Sequence, residues 1–246
     1  MELLKPFQKY IKTHLYYLLS KKNVIFISIL NILCLFYFLY ISGIFDGIGS
    51  IDAKRDEYFN RFNNDYFFFL KIVYISFIIF ISIGYFGREY AKYKELFIRD
   101  KKTKAFFYIT KYISIILFNL FELLFLIFNY LFILALMPYG RFFISTFRAF
   151  SRLFLLGIFY LFFSSFFLLI FNTYLASIIS MICYWFSFIY SQYYEKLTNG
   201  VKVLLLLFPF GESNNIEFIY GSFHVMIYTF LLILLNLFII ILRDDV

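Results

Sequence analysis

The residue best suited to chemistry in this sequence is a glutamate in the middle of a long apolar run. Glu122 lies within "ITKYISIILFNLFELLFLIFNYLFILALM", and Asn119 precedes it by one helical turn on the same face. A centrally placed acidic residue costs about 2.5 to 3.5 kcal/mol, whereas each Leu, Ile or Phe contributes about 0.3 to 0.6 kcal/mol towards insertion. The run can therefore cross a membrane despite Glu122.

Two roles for Glu122 and Asn119 follow from this position. Charges inside a membrane usually face a bundle interior or a cavity, which predicts that both residues line a transport pathway or a subunit interface. Alternatively, a protonated Glu122 joins neighbouring helices by a hydrogen bond. The sequence places no Lys or Arg at the same depth as a partner.

Other catalytic chemistry is not indicated. The sequence contains no GxxxxGK[ST], HExxH, GxSxG or CxxC motif. His14 and His224 are predicted on opposite sides of the membrane, so they cannot form a metal pair. Ser164 and Ser165 lack an obvious base. We therefore predict a protein that is not an enzyme and holds no metal or cofactor of its own.

The composition indicates a membrane protein. The chain has 246 residues, of which 63% are hydrophobic and 26% aromatic, too little polar surface for a soluble globule. The net charge of +8 lies beside apolar runs, where it favours lipid headgroups and sets orientation, so no nucleic acid is implied. Cys34 and Cys183 each lie inside an apolar run and are interpreted as small apolar residues.

The apolar runs predict an all-α integral membrane protein, one transmembrane domain over residues 1–246. A helix needs about 20 apolar residues to cross the hydrocarbon. Six runs reach that length, and six crossings put both termini on one side. The predicted spans are 23–45, 66–86, 106–137, 149–171, 174–194 and 218–242.

Basic residues predict the orientation of these spans. They are concentrated before the first span and between the second and third, so both termini and the segment 88–104 are predicted to be cytoplasmic. The loop after the first span is acidic on balance, as expected outside. Arg141, Arg148 and Arg152 oppose the rule, because they fall on the predicted outer side.

Two further segments flank the spans. Residues 2–20 alternate apolar and Lys positions at helical spacing, which predicts an amphipathic helix on the cytoplasmic membrane surface; a simple charged tail is the alternative. Residues 195–217 contain a short apolar core with Pro209, which predicts an external re-entrant segment or else a plain external loop. The turn "NT" at Asn172 and Thr173 makes the fourth and fifth spans antiparallel neighbours.

The segment 88–104 gathers ten charges into seventeen residues between two apolar spans. With its flanks it reads "GREYAKYKELFIRDKKTKAFFYITK". This stretch resembles the corresponding region of the six-helix permease subunits of type-2 ABC exporters, which include bacterial antibiotic and peptide exporters. In that family an acidic residue after the second span opens a short amphipathic cytoplasmic helix, and a basic residue closes the segment. Glu89, "KYKELFIRDKKTK" and Lys111 occupy those places, although "KYKEL" and "DKKT" replace the family's Gly-Thr pair and its Pro-Ser-Arg-like turn.

The resemblance covers the layout of the whole chain. It implies that 88–104 is a coupling helix bound by a separate ATPase subunit, and that this subunit would bind the ATP and magnesium. Charges would orient the contact and apolar anchors would supply affinity. A solvated basic loop that only sets topology is the alternative. The residues implied in ATPase contact are Arg88, Glu89, Lys92, Tyr93, Glu95, Leu96, Phe97 and Arg99.

The function implied by the resemblance is a permease subunit in a bacterial cytoplasmic membrane. Two permease subunits, identical or paralogous, would form the pathway. An apolar lining suits a hydrophobic or amphipathic cargo, most simply a peptide, as in exporters of phenol-soluble modulins. The alternative is a membrane protein that transports nothing and binds a bacteriocin or a sensor partner to confer immunity.

Overall fold

A computed structural model describes residues 4–42, 55–87, 101–137, 144–171, 173–192 and 218–242. Within these ranges the regular structure is entirely α-helical. The helices are α1 (Leu4–Leu18), α2 (Lys21–Ile41), α3 (Arg55–Phe86), α4 (Lys101–Leu136), α5 (Ile144–Ile170), α6 (Thr173–Gln192) and α7 (Phe218–Leu242).

Five of the described helices are long and apolar enough to cross a membrane, judged by length and composition. Their apolar stretches are Asn23–Ile41, Phe59–Phe86, Ala105–Leu136, Thr146–Ile170 and Phe223–Leu242. The apolar part of α6, Thr173–Ile189, is shorter than the roughly 20 residues that a perpendicular crossing needs. These helices support the prediction of a multi-pass helical membrane protein.

Two helices extend well beyond the predicted spans. α3 begins at Arg55 although its apolar run was expected from 66, and α4 begins at Lys101. Helical hydrogen bonds do not require apolar side chains, so a helix can extend beyond the apolar run. The last four residues of the predicted coupling segment, 101–104, therefore belong to α4.

α5 is the central helix of the described bundle. It packs against α3, α4, α6 and α7, and the consecutive residues Phe159 to Phe163 are all buried. A helix that is apolar around its whole circumference belongs inside a bundle. α5 and α6 also pack on each other, as the short Asn172–Thr173 turn requires.

One face of α1 packs against α4, and another face carries exposed lysines. Lys9 and Lys12 are exposed, whereas His14 and Leu18, one turn apart, are fully buried. The Asn23 side chain donates a hydrogen bond of 3.1 Å to the Leu18 carbonyl, which ties the end of α1 to the start of α2. The buried line of α1 thus faces protein, a contact that the prediction of a helix on the membrane surface did not include.

Candidate functional site

The predicted residues Asn119 and Glu122 lie at the centre of a polar cluster formed by α2, α3 and α4. Asn119 is 0% exposed and Glu122 is 1% exposed, close to the middle of the apolar stretch Ala105–Leu136. Both residues therefore face the interior of the bundle and not the surrounding lipid.

Glu122 is held by α2. The Asn31 Nδ2 atom donates a hydrogen bond of 2.9 Å to Glu122 Oε1, and the Asn129 Nδ2 atom lies 3.4 Å from Asn31 Oδ1, a long contact. Asn31 is half-buried, so it stands between Glu122 and the outer face of α2. Asn31 was not predicted as part of the site. A single Asn inside an apolar run is the feature of the sequence that could have indicated it.

Asn119 is held by α3. The buried Tyr74 hydroxyl donates a hydrogen bond to Asn119 Oδ1. Gly157 of α5 lies directly against this pair: a Cβ atom built there would come within 3.0 Å of Tyr74 Cε1 and 3.2 Å of Asn119 Nδ2. The absence of a side chain at Gly157 therefore lets α5 approach the Tyr74–Asn119 pair.

Two polar atoms of the cluster are not paired by any described residue. Glu122 Oε2 and Asn119 Nδ2 are both buried and have no hydrogen-bond partner in the described part of the chain. The carboxyl group of Glu122 is also close enough to the Cys34 thiol and the Tyr74 hydroxyl to interact electrostatically with both. A buried acceptor and a buried donor, one helical turn apart, are thus available to a ligand.

Tyrosine hydroxyls extend polar contacts along α4 towards the start of α3. Tyr66 donates a hydrogen bond of 3.0 Å to the Leu126 carbonyl, and Tyr130 donates one of 2.6 Å to Asn63 Oδ1. Their rings lie 4.9 Å apart, edge to face. These bonds fix the relative position of the two helices that carry Tyr74 and Asn119.

Ser164 and Ser165 of α5 have structural partners. Ser164 shares a hydrogen bond with Ser82 of α3, and Ser165 lies 3.0 Å from the Tyr112 hydroxyl of α4. Both contacts join α5 to its neighbours. Hydroxyl partners of this kind do not activate a serine as a nucleophile.

A second buried cluster lies where α1 meets α3 and α4. The His14 ring packs 4.9 Å from Phe107 and 6.1 Å from Tyr85. Lys111, only 3% exposed, holds its Nζ atom 4.7 Å from the Phe86 ring centre and 5.0 Å from that of Tyr85. Such cation–π contacts compensate part of the cost of burying an ammonium group.

The environment of His14 favours its neutral form. Burial and the positive charge of Lys111 lower the pKa of His14 from 6.5 to about 4, although a hydrogen bond with the Phe107 backbone acts in the opposite direction. From the sequence, His14 was predicted to lie on a helix at the cytoplasmic surface of the membrane. His14 lies four residues from both Tyr10 and Leu18, and this spacing places it on the same face of α1 as the buried Leu18.

The predicted ATPase-contact residues, from Arg88 to Arg99, lie outside the described residues. The re-entrant segment 195–217 also lies outside them. Within the described ranges, no group of three or more His, Cys, Asp or Glu side chains could hold a metal ion.

Comparison with known proteins gives no family assignment, since no protein-family model, curated protein or solved structure matches the chain. The fold and the site define a class only: a helical, multi-pass membrane protein with a buried polar cluster between α2, α3 and α4.

Proposed function

We propose that this chain is the permease subunit of a bacterial ABC exporter, with ATP hydrolysed by a separate subunit. The observation that carries the proposal is the cluster of Asn31, Tyr74, Asn119 and Glu122, buried midway along apolar helices. Polar and ionisable side chains at membrane depth are costly, and they commonly mark substrate or ion pathways.

The cluster is well placed to respond to an ATPase. Residues 88–100 connect α3 to α4, and these two helices carry the hydrogen-bonded pair Tyr74 and Asn119. An ATPase bound to the predicted contact residues in this connection would move both helices together when it changed conformation. Tilting α3 against α4 would then break or remake the bond between Tyr74 and Asn119.

The outer faces of the bundle suit lipid or a second permease subunit. Phe36 of α2 is 66% exposed and Phe230 of α7 is 61% exposed, with further large apolar side chains beside each. A pathway formed by two subunits would have apolar walls, which favours a hydrophobic or amphipathic cargo, and a peptide is the simplest choice.

The proposed topology has six crossings and cytoplasmic termini. α6 would cross the membrane in addition to the five longer apolar helices, as the fifth span in chain order, and it would continue past Ile189 to reach the full hydrocarbon thickness. The segment 195–217 would then lie outside, before α7. This arrangement puts the α3–α4 connection on the side where ATP is available.

The decisive experiment is purification of the tagged full-length chain from its native host, followed by identification of the proteins that accompany it. The proposal expects an ABC ATPase in a stoichiometric amount, and ATP-dependent uptake of amphipathic peptide into inverted vesicles that contain both proteins. The double variant Glu89→Lys and Glu95→Lys should lose the ATPase and still insert. The matched control is Lys9→Glu with Lys12→Glu, an equal number of charge reversals on exposed α1 positions.

The immunity hypothesis predicts a different companion. A bacteriocin or a sensor protein would accompany the chain, no ATPase would be found, and the Glu89 and Glu95 substitutions would leave that association unchanged. This result would overturn the exporter proposal.

A further inference from the structure

The unpaired atoms of the polar cluster point to a small ligand. Glu122 accepts a hydrogen bond at Oε1 from Asn31, while its Oε2 atom is buried and has no partner among the described residues. An ionised carboxylate with a single hydrogen bond is expensive in an apolar interior, and it is usually neutralised or paired with a cation.

In the described part of the chain, the recorded polar partners of the Glu122 carboxyl group are Asn31, Cys34 and Tyr74, and none of these is a cation. The titratable groups near Glu122 are the Cys34 thiol of α2 and the Tyr74 hydroxyl of α3. α5, which carries Arg148 and Arg152 near its start, contributes Gly157 to the cluster, and α7, which also packs against α4, carries His224 near its start and no Asp, Glu, Lys or Arg. Lys71 of α3 lies three residues before Tyr74. An ionised Glu122 would therefore have no compensating cation among these partners, whereas a bound proton would remove the charge.

The geometry selects a very small ligand. Asn31 Oδ1 and Asn119 Oδ1 already face donors, from Asn129 and Tyr74. Of the side-chain oxygens of Asn31, Asn119 and Glu122, Glu122 Oε2 is thus the one that has no donor among the described residues. Hard metal cations such as calcium take six to eight oxygen ligands. The unpaired Asn119 Nδ2 atom is a donor, which disfavours a metal cation further.

We propose that Glu122, oriented by Asn31 of α2, is a proton-binding site at mid-membrane. The bound proton lies on the carboxyl group and removes its charge. Proton binding is independent of the exporter proposal; only a coupling of the proton to cargo movement rests on it.

Exchange of this proton requires α2 to move. Glu122 is buried, but Asn31 covers it from a helix whose outer side chains, including Ile32 and Leu33, are 52% and 61% exposed. Displacement of α2 would break the Asn31 bond and uncover the carboxyl group. Asn31→Leu should therefore speed up reactions at Glu122, whereas Leu33→Ala on the exposed face of the same helix should not.

The test uses purified full-length protein in phospholipid nanodiscs. Dicyclohexylcarbodiimide, an apolar reagent that adds to protonated carboxyl groups, is applied over a range of pH, and peptide mass spectrometry locates the modified residue. We expect modification of Glu122 near neutral pH and its loss in alkaline buffer. Glu122→Gln should lose this modification, whereas Asp65→Asn, at an exposed carboxyl on α3, should retain it.

Infrared spectroscopy covers the case in which the reagent does not reach Glu122. The carbonyl stretch of a protonated carboxylic acid should be present near neutral pH in the wild type and missing from Glu122→Gln. Absence of both the adduct and this band would show that Glu122 is ionised and would overturn the proposal. Protection from the reagent by sodium chloride, but not by choline chloride, would overturn it in favour of a metal-cation site.

These outcomes separate the two proposals. Proton binding is measured on the isolated chain, with no ATPase or cargo present. A positive result with no ATPase companion would retain the proton site and reject the exporter.

Discussion

Asn31 on α2 donates a hydrogen bond of 2.9 Å to Glu122 on α4, although 91 positions separate the two residues in the chain. This bond joins α2, the least buried of the five apolar spans, to a carboxyl group on α4 that is 1% exposed. The predictions for Asn31 and Glu122 below test what this bond contributes.

Replacement of Asn31 by Ala should destabilise the protein modestly. Hydrogen bonds between membrane helices average about 0.6 kcal/mol and reach about 1.7 kcal/mol. The measurement is unfolding by denaturant in detergent micelles, with Leu33→Ala as the control on the exposed face of α2. In a double-mutant cycle, Asn31→Ala and Glu122→Leu should not be additive, because each substitution removes the same bond. Additive effects would show that the bond contributes nothing.

Glu122→Gln and Glu122→Leu distinguish a pathway role from a structural role. Gln keeps the shape and most of the hydrogen-bonding capacity of a protonated glutamic acid but cannot ionise. If Glu122 only joins helices, Gln should match the wild type and Leu should lower stability or dimer yield. If Glu122 must ionise or meet a cationic cargo, Gln should fold normally and transport poorly. Expression, dimerisation and cargo export are measured for both, and wild-type behaviour of both would exclude either role.

Gly157→Ala should be destabilising even though alanine favours helices. The new Cβ atom would come within 3.0 Å of Tyr74 Cε1 and 3.2 Å of the Tyr74 hydroxyl. Overpacking of this kind costs about 1 to 3 kcal/mol. The matched control is Gly84→Ala on α3, where a Cβ atom meets nothing within 4 Å. Thermal unfolding should separate the two variants, and equal effects would show that α5 does not need this close approach.

Docking of α1 should weaken as the pH falls. The pKa of His14 is about 4 in the folded protein and 6.5 without burial, so the unfolded or undocked form binds the proton more tightly. Stability from neutral His14 is complete above about pH 6.5 and is lost progressively towards pH 4, by at most about 3 kcal/mol.

Limited proteolysis of α1 across this pH range measures the effect of His14. His14→Phe, which keeps an aromatic ring against Phe107 and Tyr85, should remove the pH dependence of cleavage in this window. An unchanged pH profile in the variant would assign the effect to another group.

Labelling of introduced cysteines tests the proposed topology. A cysteine at Ser50, between α2 and α3, should react with an impermeant thiol reagent added outside intact cells. A cysteine at Lys101, the first residue of α4, should react only after the cells are opened. Wild-type protein, labelled in parallel, measures the contribution of Cys34 and Cys183. The reversed pattern would contradict the positive-inside assignment.

The sequence predicted the local features of this protein well. Long apolar runs predicted the positions of the helices, because helix formation and insertion depend on contiguous residues. Glu122 and Asn119 were identified as a pair because one helical turn separates them. The last residues of α3 and α4 were predicted to within one position, whereas their starts were not, since helical hydrogen bonds form outside the apolar run as well.

By itself, then, the sequence determined that the chain is helical and apolar and that Glu122 lies deep within a span. Only the tertiary structure decided what Glu122 and Asn119 contact. Asn31, Tyr74 and Gly157 come from three other helices, and no periodicity along the chain relates them to α4. His14 likewise became a buried residue only because α1 packs onto α3 and α4. Sequence periodicity determines which face of a helix is apolar, whereas the partner of that face depends on how whole helices fit together.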